Sequence, residues 1–241
     1  MPDDSDDAAT PALRAQLLAT EHWGLLASRS TTQSEVLTRI AMFLTLTSAG
    51  LLSLALMGQA TKFTGVFPGF AIAVLAIVLL VGVLTQLRVA NTNMEDLAYV
   101  LAMNRLRGAY VELDPGLAPY LLTSRFDDRA GAGQTYYFHG RRAMSQLAAS
   151  SLVFIVAVNS TLLGLLVSAV AGILGAGIGV MAGTCAAFGL AYFVLAVGRS
   201  ARLYNSFWTT WSPLFPSPAP DGTAERPADR TAERPADRPG E

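Results

Sequence analysis

The chain alternates between long apolar runs and shorter intervals that carry its charges. Residues 40–61 and 63–87 contain no Asp, Glu, Lys or Arg, and neither do residues 143–198. A membrane-spanning helix needs about 20 mostly apolar residues, so the first two runs predict one span each. At ~1.5 Å per residue the third is too long for one crossing of a ~30 Å hydrocarbon layer. It predicts two spans joined by a tight turn in the glycine-rich stretch 171–175. The spans fall near 39–58, 68–88, 147–169 and 174–198. A core helix of a soluble protein is shorter and keeps a polar face, and these runs keep none.

The polar intervals also read as helix. Thr10-Pro11 is an N-cap followed by proline at the first helical position, which predicts a helix over 11–29. Thr32-Gln33-Ser34-Glu35 is a capping-box pattern and predicts that the first membrane helix restarts there. Thr92 and Glu95 repeat the pattern after the second span, where the helix either breaks or continues straight on. Over 94–113, Tyr99, Met103, Leu106, Tyr110 and Leu113 share one face, and Met94, Leu97 and Leu101 form a second stripe. Two stripes predict two packing neighbours and more apolar surface than one small protomer covers. Asp114-Pro115-Gly116 ends that helix. Residues 116–135 read as loop, with Asp127-Asp128 as a solvated turn that lacks the spaced ligands of a calcium site.

The predicted fold is therefore all-α and polytopic, with four transmembrane helices and cytoplasmic helical extensions. Its parts are a disordered acidic N-terminus (1–10), a helix and first span (11–58), an outer loop and second span (59–88), and a helical middle loop (89–146). A hairpin of two spans (147–198), an interfacial segment (199–212) and a disordered proline-rich tail (213–241) complete it. The tail repeats TAERPADR at 223–230 and 231–238, a composition that cannot bury a core. The acidic start lacks the positive region of a signal peptide, so the first span is expected to be retained as an anchor.

Charge sets the expected orientation. Of the 16 arginines and one lysine, only Lys62 falls in an outer loop of this layout. The positive-inside rule then places both termini and the middle loop in the cytoplasm of a plasma-membrane protein. Hydrophobic residues make up 52% and charged residues 15%, against roughly 25% charged in an average soluble domain. A net charge of −1 gives no basic field for nucleic acid. One cysteine and two histidines offer no disulfide framework and no metal-ligand set. No nucleophile–base pair or nucleotide-binding fingerprint is legible, so neither a catalytic residue nor a cofactor is expected.

The candidate functional residues are polar or small. Asn159, with Ser160 and Thr161, sits inside the third span, where a polar side chain either bonds a neighbouring helix or lines a pore. Ala171, Gly175, Gly179, Gly183 and Ala187 recur every fourth residue. Ser160, Gly164 and Ser168 do the same one span earlier. The two stripes predict a close helical hairpin, or one of them serves a subunit interface. Arg141 and Arg142, beside Tyr136, Tyr137 and His139, and Arg199 and Arg202 at the other end of the hairpin are candidates for lipid headgroups.

The stretch 21–30 (EHWGLLASRS), the segment 39–44 (RIAMFL) and the segment 103–113 (MNRLRGAYVEL) together resemble a family of uncharacterised four-span bacterial integral membrane proteins, over about residues 12–205. The resemblance implies the four-span fold and carries no catalytic or binding residue with it. In layout alone, the chain is also similar to two-span modules thought to form pores in bacterial conflict systems. The expected function is a non-enzymatic membrane scaffold, self-associating, with membrane lipids and a cytoplasmic protein as partners. The alternative is a homo-oligomeric channel or pore lined by Ser, Thr and Asn.

Overall fold

A computed structural model describes residues 10–137 and 150–218. Four helices in it are long and apolar enough to cross a membrane, and no strand occurs among the described residues, so the fold is all-α and polytopic. Helix α1 spans Pro11–Thr61 and α2 spans Phe67–Leu113. A 3-10 turn at Pro115–Tyr120 and a short helix α3 at Arg129–Tyr136 follow. Helices α4 (Ser151–Ile173) and α5 (Ile178–Thr210) form the second hairpin.

Thr10 caps α1 as its sequence predicts, accepting from the Leu13 amide with Pro11 at the first helical position. The predicted restart at Thr32 does not occur, because α1 is one unbroken helix of 51 residues. Glu35, the would-be capping carboxylate, and its neighbour Gln33 are used elsewhere instead. Gln33 donates to Asp96, and Glu35 accepts from Arg39 on its own helix and from Arg88 on α2. Thr31 and Thr38 bond back to the carbonyls of Ala27 and Ser34, which keeps their hydroxyls satisfied inside a helix. The second capping pattern resolves as continuation. Glu95 is taken by Arg88, and α2 runs through as 47 residues. At ~1.5 Å per residue both helices exceed 65 Å, more than twice a hydrocarbon layer.

The four long helices pack in series: α2 lies between α1 and α4, and α5 lies against α4. The core of the apolar section is Val36, Ile40 and Phe43 of α1, Leu75, Val78 and Val89 of α2, and Ile155 and Leu162 of α4. No described residue of α5 is buried. A second cluster lies beyond Arg88, which we call the head. Leu97 and Leu101 of α2 and Ala132 of α3 pack there with Tyr136, Phe207, Trp208 and Trp211.

Helix α4 is capped by Ser150, whose hydroxyl accepts the Val153 amide, and ends at Ile173, inside the glycine-rich stretch 171–175 where the turn is predicted. The reversal is Leu174–Gly177, with Gly175 at φ 83° and the Ala176 amide bonded to the Ala171 carbonyl, a left-handed C-cap that glycine adopts without a Cβ penalty. The segment 116–135 is not simply loop, since it holds the 3-10 turn and most of α3. Of the two stripes on 94–113, Leu97, Leu101 and Met103 are buried by this one chain, and Met94, Tyr99, Leu106, Tyr110 and Leu113 are partly buried.

Candidate functional site

Three polar side chains from three helices meet inside the apolar bundle. Asn159 of α4 is fully buried and donates to Oε1 of Gln86 on α2 at 2.9 Å. The Tyr192 hydroxyl of α5 donates to the same oxygen at 2.9 Å. Gln86 stands two residues from Arg88, so the cluster lies toward the arginine-rich end of the bundle rather than at its centre. Phe43 and Gly82 close it. A methyl group at Gly82 would collide with Asn159 Oδ1 and lie 2.9 Å from the Phe43 ring. Asn159 Oδ1 has no hydrogen-bond partner, as is also true of Thr92 Oγ1 and Trp208 Nε1. The other two residues of the predicted polar set do not join the cluster. Ser160 and Thr161 bond back to the carbonyls of Val156 and Ala157, and Thr161 faces outward.

The small-residue stripes divide. On α4, Gly164 and Ser160 do meet α5: a Cβ on Gly164 would lie 2.5 Å from the Cys185 carbonyl, and one on Gly189 3.0 Å from the Ser160 carbonyl. Ser168 is partly buried on the same helix. On α5 the predicted row is the wrong one for the hairpin. Gly179 and Gly183 have nothing within 4 Å of a Cβ position, and Ala187 is exposed. The row that faces α4 is Met181, Cys185 and Gly189, offset by two residues, which on an α-helix is about 200°. Of the remaining stripe members, Ala171 belongs to α4 and Gly175 to the turn.

The head is held by charges. Asp96 accepts from Arg29 at 2.6 and 3.2 Å, from Gln33 at 2.9 Å and from the Tyr136 hydroxyl at 2.6 Å. Burial raises its carboxyl, but the Arg29, Tyr136 and Gln33 bonds outweigh this and leave it below the usual carboxylate range. Burial and the bond to Asp96 push Tyr136 far upward. Tyr99, Leu106 and Leu113 are partly buried, Met103 is buried, and the Tyr110 hydroxyl donates across to the Leu18 carbonyl of α1.

Asp127 and Asp128 are the largest departure from the predicted solvated turn. The Asp127 side chain is 0% exposed. It pairs with Arg105 and accepts the backbone amides of Leu214 and Phe215, at 3.0 and 2.7 Å. Its own amide donates to the Phe215 carbonyl, and its carbonyl takes the Trp211 indole N–H. Asp128 caps α3 through the Gly131 amide and accepts from the amide and hydroxyl of Ser217. Residues 211–217 thus form an ordered strap, contrary to the disordered tail expected from 213. Arg105 covers the Trp211 ring at 4.5 Å, and Phe215 packs on Gly108. Burial raises the Asp127 carboxyl, and the Arg105, Leu214 and Phe215 bonds more than reverse it.

Among the lipid-headgroup candidates, Arg199 and Arg202 are exposed on α5 and make no ion pair among the described residues. Arg141, Arg142 and His139 lie outside the described residues. No group of three or more potential metal ligands occurs among the described residues.

Sequence reasoning missed Gln86, Tyr192 and the strap. Gln86 was visible as the amide closing the second apolar run, and Leu214-Phe215 as apolar residues between prolines. Compared with family models, with curated proteins and with solved structures, the chain finds no match in any of the three. The family resemblance of the sequence therefore gains no support there.

Proposed function

We propose that the protein is a non-enzymatic integral membrane scaffold that self-associates and presents its head on the cytoplasmic side of a plasma membrane. The observation that carries this reading is the exposed apolar surface of α1 beyond the spans. Leu13 and Leu17 are 47% and 60% exposed, more than 20 residues before the charge-free run that begins at residue 40. Apolar surface left in water marks a protein contact. The arginine bias supports the orientation, and the outward row Gly179, Gly183 and Ala187 supports a second, intramembrane contact between copies. The polar cluster favours packing over conduction, since the Asn159 amide is spent on Gln86.

The test is the oligomeric state of the full chain in lipid nanodiscs, read by mass photometry, beside ion flux through liposomes. A defined oligomer that Leu17→Asp dissociates, with no flux, is the expected result. A monomer at all lipid ratios sinks the reading. Protein-dependent flux that changes in Asn159→Leu replaces it with the channel.

A further inference from the structure

The strap, residues 211–217, lies on the head in the manner of a bound peptide. It contains no helix, and prolines stand at 213 and 216, with another at 218 just beyond it. Its first residue, Trp211, has φ −75° and ψ 128°, close to the polyproline II conformation. Segments of this kind arrive pre-extended and lose little entropy on docking. Only Trp211, Phe215 and Ser217 are partly buried, and the residues between them are exposed, Leu214 by 67%.

The receiving surface is built from Arg105 and Gly108 of α2, Asp127 of the loop before α3, and Asp128, which caps α3. It holds the strap largely by its backbone. Arg105 donates to the Ser212 carbonyl at 3.1 Å. Asp127 accepts the Leu214 and Phe215 amides and returns its own amide to the Phe215 carbonyl at 3.0 Å. Asp128 accepts the Ser217 amide at 2.7 Å. Side chains add three anchors: the Trp211 ring under Arg105, the Ser217 hydroxyl on Asp128, and the Phe215 ring on Gly108, where a Cβ would lie 2.8 Å from the ring. Removing the strap leaves the Asp127 carboxylate without two amide donors and its amide without an acceptor. Lost partners of this kind are costly, so the strap leaves most easily where an equivalent segment takes its place.

We infer that in the self-associated protein this surface takes the strap of a second copy, so that neighbouring heads are joined by exchanged straps. The inference rests on the self-association proposed above and names one of its contacts. The sequence that fits the surface is the chain's own. Exchange of an identical element is a low-cost route to dimers, since each contact made within one copy is made again between two. Copies inserted in one membrane with the same orientation hold strap and surface at the same height. Seven extended residues reach about 23 Å, and a helix with its side chains is about 10 Å wide, so the strap spans to an adjacent head. Its hinge is the end of α5 at Thr210.

The experiment reconstitutes two variants of the full chain together in lipid nanodiscs, counts copies per disc by mass photometry, and follows cleavage within 211–218 by limited proteolysis. Asp127→Ala spoils the surface and keeps the strap; Phe215→Ala spoils the strap and keeps the surface. A tag on the first variant identifies its fragments. Reconstituted alone, that variant has a loose strap. Mixed with the second, its strap meets an intact surface, and its cleavage should slow about tenfold, since cleavage tracks the open fraction. Mixed oligomers whose Asp127→Ala strap is cut as fast as before overturn the exchange and leave self-association standing. Monomers throughout overturn both. If Asp127→Ala fails to fold, Gly108→Val, which pushes Phe215 off its seat, replaces it with the same expected result. A labelled peptide of residues 211–218, WSPLFPSP, should bind Phe215→Ala saturably and the unaltered chain at least about tenfold more weakly, because the chain's own strap competes at high effective concentration. Absence of binding to Phe215→Ala overturns the proposal, and binding by a protein that stays monomeric assigns the surface to another protein's proline-rich segment instead.

Discussion

The apolar bundle and the head are built from the same two long helices, yet they hold together by different means. In the bundle, α1 and α2 carry exposed Leu52, Leu56, Ile77, Leu80 and Leu84, which lipid covers at no cost. Contact there comes from the buried apolar core around Phe43 and Ile155, from close approach at Gly82 and Gly164, and from one polar cluster. In the head, beyond the apolar runs, most polar side chains pair with one another or with the backbone. Asp96 and Asp127 each gather partners from several segments, and Trp211 and Phe215 fasten the strap at Asp127. The comparison teaches that the bundle tolerates polar changes at its outer surface poorly but has few internal polar commitments, whereas the head depends on two carboxylates.

The sharpest way to break the contrast is Asp127→Ala. It leaves Arg105 and two backbone amides without their acceptor, and removal of one member of a buried pair costs about 3 kcal/mol. Limited proteolysis should then cut within 211–218 while the spans stay protected. Acid should act on the head in the same way and more gradually. Both carboxyls are lowered by folding, so their contribution is complete above the unfolded value of about 3.9. It is lost as pH falls through the lower folded values, and strap protection should collapse only below about pH 4. His22, also lowered, works in the same direction. It begins to erode stability slightly below its unfolded value of about 6.5.

Gly82→Ala tests the bundle. The added methyl meets Asn159 and Phe43, and overpacking of this kind costs about 2 kcal/mol, read as a lower midpoint in detergent unfolding with strap proteolysis unaltered. Asn159→Leu should cost less, about 1 kcal/mol for one interhelical hydrogen bond, by the same assay. Smallest of all, Arg39→Ala removes an exposed pair with Glu35 and should leave both proteolysis and unfolding midpoint unchanged. A large effect there would show that the boundary between the regions matters more than either.

The spans were legible because run length alone identifies a segment that water cannot solvate. Helix continuity was not. A capping box looks the same whether Gln33 and Glu35 fold back on their own amides or reach across to Asp96 and Arg88. Asp127 was unreadable for a similar reason, as its strap partners Leu214 and Phe215 lie more than eighty residues further along the chain. The four-residue spacing of Gly179, Gly183 and Ala187 places them on one face of the helix but cannot say which neighbour, if any, that face meets. The hairpin uses the row almost opposite.

The unbroken passage of α2 from bundle to head has a mechanical consequence. A helix with no hinge transmits rotation undiminished. Leu113 stands 25 residues past Arg88, roughly 38 Å at the α-helical rise. A tilt of about 5° within the bilayer, well inside the range helices adopt to match its thickness, sweeps the far end of the stalk through about 3 Å.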